Sequence, residues 1–158
     1  AYVFFLCVGG GGVMNILVAV DFSNATQMIL EKTETLALDL SAKVYILHVI
    51  EQELDLDDEF GSETIYNQIS REFPMEYKEL QKAVDKLRKS GIDATAILTQ
   101  GITVEMIVQK SKKLAADMII IGSHGHGGVH HLMFGSVSEG VLQSSSCPVL
   151  VIPTHERP

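Results

Sequence analysis

Gly122, Gly125, Gly135 and Ser136 are the residues whose types and spacing point most directly to chemistry, in the order G-x-x-G-x9-G-S. They lie in the stretch 118–141, MIIIGSHGHGGVHHLMFGSVSEGV. Glycines let a backbone turn tightly and come close to a ligand. Gly135 and Ser136 precede a helical pattern over 136–144. The first-turn amides of a helix have no acceptor within it, and together with the helix dipole they favour an anion. The expected ligand group is the phosphate chain of a nucleotide. The spacing is not that of a P-loop, G-x-x-x-x-G-K-[ST], which needs its lysine. Nor is it the dinucleotide fingerprint G-x-G-x-x-G after a first strand. Here the first strand leads into VDFSNAT, which contains no glycine.

The elements that must position this loop can be read from the apolar pattern. Met118–Ile121 is a short apolar run that suits a strand buried on both faces. Similar runs place strands over 15–20 (NILVAV), 43–49 (KVYILHV), 94–99 and 148–152 (PVLVI). A helix is expected after Ser23 or Asn24 as N-cap, with Ile29, Thr33, Leu36, Ala37 and Leu40 on one face. A second covers 69–87, with Ile69, Phe73, Leu80, Val84 and Leu87 at helical spacing and Pro74 as a kink or a helix start. Gly91 suits a left-handed cap to it. A third opens at Thr103 and carries Val104, Ile107, Val108, Leu114 and Ala115 on one stripe. Seven acids fall between Glu51 and Glu63 and read as a solvated loop, with a lid or cation-attracting patch as the sharper alternative.

Strands alternating with helices, with strands apolar on both faces, argue an α/β fold: one doubly wound, five-stranded parallel sheet with helices on both faces. Such sheets bind ligands beyond the carboxyl ends of their strands, where the strand order reverses. With order 3-2-1-4-5, the first and fourth strands are neighbours at that point. Asp21 then faces Gly122–Gly125.

Composition narrows the partners. A chain of 158 residues suits one domain with a substantial core. A net charge of -8 argues against a nucleic-acid footprint. No apolar run reaches the roughly 20 residues of a membrane helix. Cys7 and Cys147 form neither a disulfide framework nor a metal spacing, and read as free thiols in a reducing cytoplasm. Residues 1–13, AYVFFLCVGGGGV, are uncharged and end in glycines and a valine before Met14. They are expected to be an appended leader, with the native start at Met14 and the domain over 14–158; a signal peptide would need a basic n-region.

Over Met14–Pro153 the sequence resembles the universal stress protein family, through ILVAVDFS, IIIGSHGHGG, LMFGSVSEGVL and CPVLVIP. It does not match the related pyrophosphatase pattern S-G-G-x-D-S. The resemblance implies a Rossmann-like fold of the adenine nucleotide alpha hydrolase-like kind and a stress-response role. It implies an adenine nucleotide, most often ATP, with AMP or ADP as alternatives. Asp21 would accept hydrogen bonds from ribose hydroxyls or the base, and backbone groups of Val20 and Val49 would meet the adenine. Gly122 and Gly125 would line the ribose and phosphate path. Gly135, Ser136 and Val137 would give amides to the phosphates, with the Ser136 hydroxyl as a further donor and Ser138 as a weaker contact. The resemblance also implies a homodimer through the fifth strand. No catalytic base is identified, so the nucleotide is expected to be a structural or regulatory ligand, with an unknown protein partner as its reader. A slow ATP hydrolase and a nucleotide-free dimeric interaction module are the alternatives.

One departure from the family has a physical consequence. No Lys or Arg occurs between Lys113 and Arg157, where many members carry basic residues. His124, His126, His130 and His131 stand there instead. The phosphate charge must be met by amides, by Mg²⁺, by residues from elsewhere or by histidine, and His126 is the histidine placed in the phosphate path. Unperturbed imidazole titrates near pH 6.5. Affinity for ATP is therefore expected to rise as pH falls from about 8 to about 6, and equal affinities across that range would reject the idea. Zinc or nickel binding by HGHGGVHH is the alternative, but the spacing matches no standard zinc site.

Overall fold

Consecutive apolar residues in the central strands feed two cores, because strand side chains alternate between faces. Ile16 and Val18 are fully buried in one core, and Leu17 between them is fully buried in the other. Ile120 joins the first core, whereas Ile119 and Ile121 join the second. A strand that must fill both sides has no room for polar residues, which is why the pattern reads as a run and not an alternation. The computed structural model describes residues 12–51, 62–124 and 134–154. The leader up to residue 11, residues 52–61 of the acidic stretch, and the loop 125–133 with Gly125, His126, His130 and His131 lie outside the described residues.

The strands are β1 (Asn15–Ala19), β2 (Lys43–Ile50), β3 (Ala94–Gln100), β4 (Met118–Gly122) and β5 (Val149–Ile152). They form one sheet in the order β3-β2-β1-β4-β5, parallel throughout. The expected fold class and strand order are therefore found. Helices α1 (Thr26–Leu40), α2 (Ser62–Glu72) and α3 (Pro74–Lys89) lie on the first core's face, through Ile29, Ala37, Ile69, Leu80, Val84 and Leu87. Helices α4 (Thr103–Lys113) and α5 (Ser136–Ser144) cover the other face, through Ile107 and Val141. Right-handed crossovers require this division. The chain moves one way along the sheet to β3, then returns past β1 to β4 and continues to β5.

Four local expectations change. Ala115 does not continue the stripe of α4, which ends at Lys113; it turns left-handed at φ +48° and is exposed. The helical run over 69–87 is two helices. Phe73 has φ −124°, ψ 63°, outside the helical region, and Pro74 is the first residue of α3. The proline ring excludes its predecessor from helical geometry, so Pro74 is a start and not a kink. Neither Ser23 nor Asn24 is the N-cap of α1; Ala25 holds that place with no side-chain cap. Leu40 is 41% exposed, because Ser41 ends the helix in a left-handed conformation just beyond it.

Candidate functional site

The strand register brings the expected residues to one level. Val18 pairs with Ile46 on one side and Ile120 on the other. Three residues further along each strand stand Asp21, Val49 and Ser123. This is where the chain leaves β1 and β4 in opposite directions, the crevice in which parallel sheets take ligands.

The end of β1 is held by an unusual turn. Phe22 adopts φ +58°, a left-handed conformation in which a bulky L-residue is an outlier. Such a conformation costs about 1–2 kcal/mol. Its ring lies 4.5 Å from that of His48, tilted by 41°, and packs against the first core. The turn bends the Ser23 amide back to Asp21 Oδ1, at 3.0 Å. Asp21 thus orders its own turn and does not cap α1. The hydroxyls of Ser23 and Thr26 are buried without a hydrogen-bond partner.

Val20 and Val49 differ in what their backbones offer. The Val20 amide donates to the Leu47 carbonyl at 2.9 Å, and its own carbonyl accepts from His48 Nδ1 at 2.8 Å. Both groups of Val20 are engaged within the chain. Along β2, Leu47 faces β1, while the Ile50 carbonyl accepts from Gly101 on the β3 side. Residues alternate in a parallel ladder, so the Val49 amide and carbonyl face the β1 side, the amide toward the Val20 carbonyl, and among the described residues neither makes a backbone hydrogen bond there.

Beyond β4, the first turn of α5 is tied back to the strand end. The Gly135 amide donates to the Ser123 carbonyl at 2.6 Å, and the Ser138 hydroxyl donates to the same oxygen at 3.1 Å. Ser138 Oγ also reaches the Gly135 carbonyl at 3.0 Å, and the residue is only 2% exposed. The Ser138 side chain and the Gly135 amide are therefore structural clasps. Gly135 is the N-cap, and the first turn-closing bond runs from the Glu139 amide to its carbonyl. That leaves the amides of Ser136, Val137 and Ser138 ahead of the helical ladder. A Cβ on Gly135 would stand 3.2 Å from the Ser123 carbonyl oxygen, so a side chain there would press on the strand end that the loop is tied to.

Gly122 is glycine for a different reason. A Cβ there would lie 2.9 Å from Ile29 Cδ1 and 3.0 Å from Thr154 Cγ2, so it makes room for α1 and for the segment after β5. Thr154 is a site-supporting residue that sequence reading missed. Its amide donates to Ser123 Oγ at 3.0 Å, its hydroxyl donates to the His124 carbonyl at 3.1 Å, and the His124 amide donates back to it at 3.1 Å. Ser123 Oγ also lies 3.1 Å from His124 Nδ1. No local signal marks Thr154; only the pairing of β4 with β5 brings it there. Phe22 and Ser123 escaped notice because each looks like filler between the residues that carry the pattern. Gly125 and His126 lie outside the described residues, as noted.

Among the described residues no cluster of three or more His, Cys, Asp or Glu side chains is placed to hold a metal ion. The arrangement supplies a carboxylate at one wall, unpaired backbone groups at a second and helix-start amides at a third. That is equipment for binding a polar, anionic ligand.

The same architecture recurs in known proteins. The sequence model of the universal stress protein family matches residues 12–153. The universal stress protein YxiE of Bacillus subtilis is 31% identical over 143 residues, covering 87% of this chain and 97% of that protein. The universal stress protein MJ0577 of Methanocaldococcus jannaschii is 30% identical over 150 residues. Its solved structure superposes with a TM-score of 0.74, over 91% of this chain and 98% of that one. A universal stress protein from Archaeoglobus fulgidus, solved in complex with dAMP, shares the fold with a TM-score of 0.61 at 24% identity, over 87% of this chain and 96% of that one. A family match over nearly the whole chain, joined to the strand order and the glycine loop after β4, leads to one conclusion: the chain belongs to the universal stress protein family.

Proposed function

We propose that the chain binds an adenine nucleotide, ATP with Mg²⁺, in the crevice between the ends of β1 and β4, as a structural or regulatory ligand of a stress-response protein. The observation that carries this reading is the convergence at one level of Asp21, the β1-facing backbone of Val49 and the first-turn amides of α5. Asp21 would take the ribose hydroxyls, Val49 the adenine edge, and Ser136, Val137 and Ser138 would give their amides to the phosphates. Gly125 and His126 complete the phosphate path in this reading, as residues of the intervening loop. Mg²⁺ supplies positive charge that the segment 114–156, with no Lys or Arg, does not. The Archaeoglobus fulgidus relative's complex with dAMP supports an adenine nucleotide as the ligand class.

The protein is further proposed to act in the cytoplasm as a homodimer through β5, with an unidentified protein partner reading the loaded state. No helix among the described residues is long and apolar enough to cross a membrane. Mass spectrometry of the small molecules released on denaturation tests the ligand class, and titration calorimetry with Mg²⁺-ATP tests the affinity. A co-purified adenine nucleotide, or binding that weakens at least tenfold in Asp21→Ala, is expected. Absence of any heat with ATP, ADP or AMP from nucleotide-free protein overturns the reading.

A further inference from the structure

The ladder between β1 and β2 stops one bond short of where its register would carry it. The Val20 amide donates to Leu47, so the next bond in a parallel ladder would run from the Val49 amide to the Val20 carbonyl. That carbonyl instead accepts from His48 Nδ1 at 2.8 Å. A carbonyl only accepts, so Nδ1 carries the proton. The same imidazole is half-buried and packs on Phe22, the residue that turns left-handed and returns the Ser23 amide to Asp21. One side chain therefore meets both the last carbonyl of the strand and the ring that shapes the following turn.

We infer that His48 is the positioning residue of this site: it keeps β1 and β2 from closing over the last rung, leaving the Val49 amide open to a ligand, and it fixes the turn that presents Asp21. The inference rests on the nucleotide reading for its consequence in binding, and on the ladder geometry alone for its consequence in the free protein. A histidine that served only to fill space would leave the hydrogen-bond pattern of the strands unchanged when replaced.

The test uses two variants of the full chain. His48→Leu removes the donor, so the Val20 carbonyl is free to accept from Val49. His48→Asn keeps an N–H donor close to where Nδ1 stands. Amide hydrogen exchange, read by NMR in nucleotide-free protein, is expected to show Val49 slowed at least tenfold in His48→Leu and within about threefold of the parent in His48→Asn, with Val18 in the core as the control. Loss of stability alone would speed exchange, so the sign separates the two causes. In calorimetry, ATP affinity is expected to fall about tenfold in His48→Leu and to be kept in His48→Asn. Val49 exchange that is unchanged or faster in His48→Leu overturns the inference. So does slowed exchange with unchanged ATP affinity. A parent protein that binds no adenine nucleotide fails the nucleotide reading separately, and the exchange measurement still decides whether His48 holds the ladder open.

Discussion

At the scale of single residues, the two described glycines of the spacing stand there for different physical reasons, and substitution separates them. A Cβ on Gly122 meets the ends of two side chains, Ile29 Cδ1 at 2.9 Å and Thr154 Cγ2 at 3.0 Å. Side-chain ends can shift, so Gly122→Ala is expected to cost about 1–2 kcal/mol in urea denaturation, in the range of overpacked cores, while ATP affinity stays within about threefold. On Gly135 the nearest atom is a backbone oxygen, Ser123 O at 3.2 Å, which cannot swing away. Gly135→Val is expected to displace the first turn of α5, lose the clasp to Ser123 and weaken ATP at least tenfold. Equal effects of the two substitutions on affinity would contradict this division of labour. The spacing alone marks both glycines and says nothing of the difference, because the neighbours that decide it come from α1, from β5 and from the β4 end.

Elements show where the sequence was legible and where it was not. The runs of β1 and β4 were readable because their residues serve two cores, a demand that leaves a continuous apolar signature, whereas β3 at the sheet edge interleaves Thr95, Thr99 and Gln100. That signature does not set strand order by itself, since doubly wound sheets with the same alternation and handedness also occur in the order 2-1-3-4-5. The division of α2 from α3 was only half legible: Pro74 signals a break, but whether it kinks or restarts the helix depends on packing around Phe73. The missing N-cap of α1 was not legible, since Ser23 and Asn24 are both good caps and the turn geometry set by Phe22 bypasses them. Contact between α4 and α5 is another feature that no periodicity announces. A Cβ on Gly140 would lie 2.8 Å from Val104 Cγ2 and 3.2 Å from Cγ1. Alanine in place of a mid-helix glycine gains about 1 kcal/mol in propensity. Both methyl carbons of the stiff, β-branched Val104 stand in the way, and overpacking costs about 1–3 kcal/mol. The clash is expected to win, so Gly140→Ala lowers stability. Adding Val104→Ala should recover part of the loss, a coupling of about 1 kcal/mol or more in a double-mutant cycle. Simple additivity of the two changes would mean that the helices have slid apart.

For the whole molecule, assembly turns on one edge of the sheet. Among the described residues β5 pairs with β4 alone, and residues 148–152 carry no charge to discourage a further strand. The ladder shows which of its groups look outward. Ile119 donates to the Pro148 carbonyl and Ser123 to the Ile152 carbonyl, so the even positions face β4. By alternation, the amides and carbonyls of Val149 and Val151 point away from the sheet, available to a second copy. A proline at position 151 removes one outward donor and no bond to β4, so it should break edge pairing at little cost within the chain. Val151 also packs its side chain against the second core, so the thermal midpoint of Val151→Pro must be measured beside its mass. Each chain has a mass of 17.3 kDa. Light scattering of the parent is expected to report twice that mass, and Val151→Pro a single chain that still melts cooperatively. Each copy also carries a formal charge of -8, so added salt should tighten the pair by screening their repulsion. A parent that scatters as one chain at every concentration and salt removes β5 as an assembly surface, and a proline variant that stays paired moves the interface to another face of the molecule.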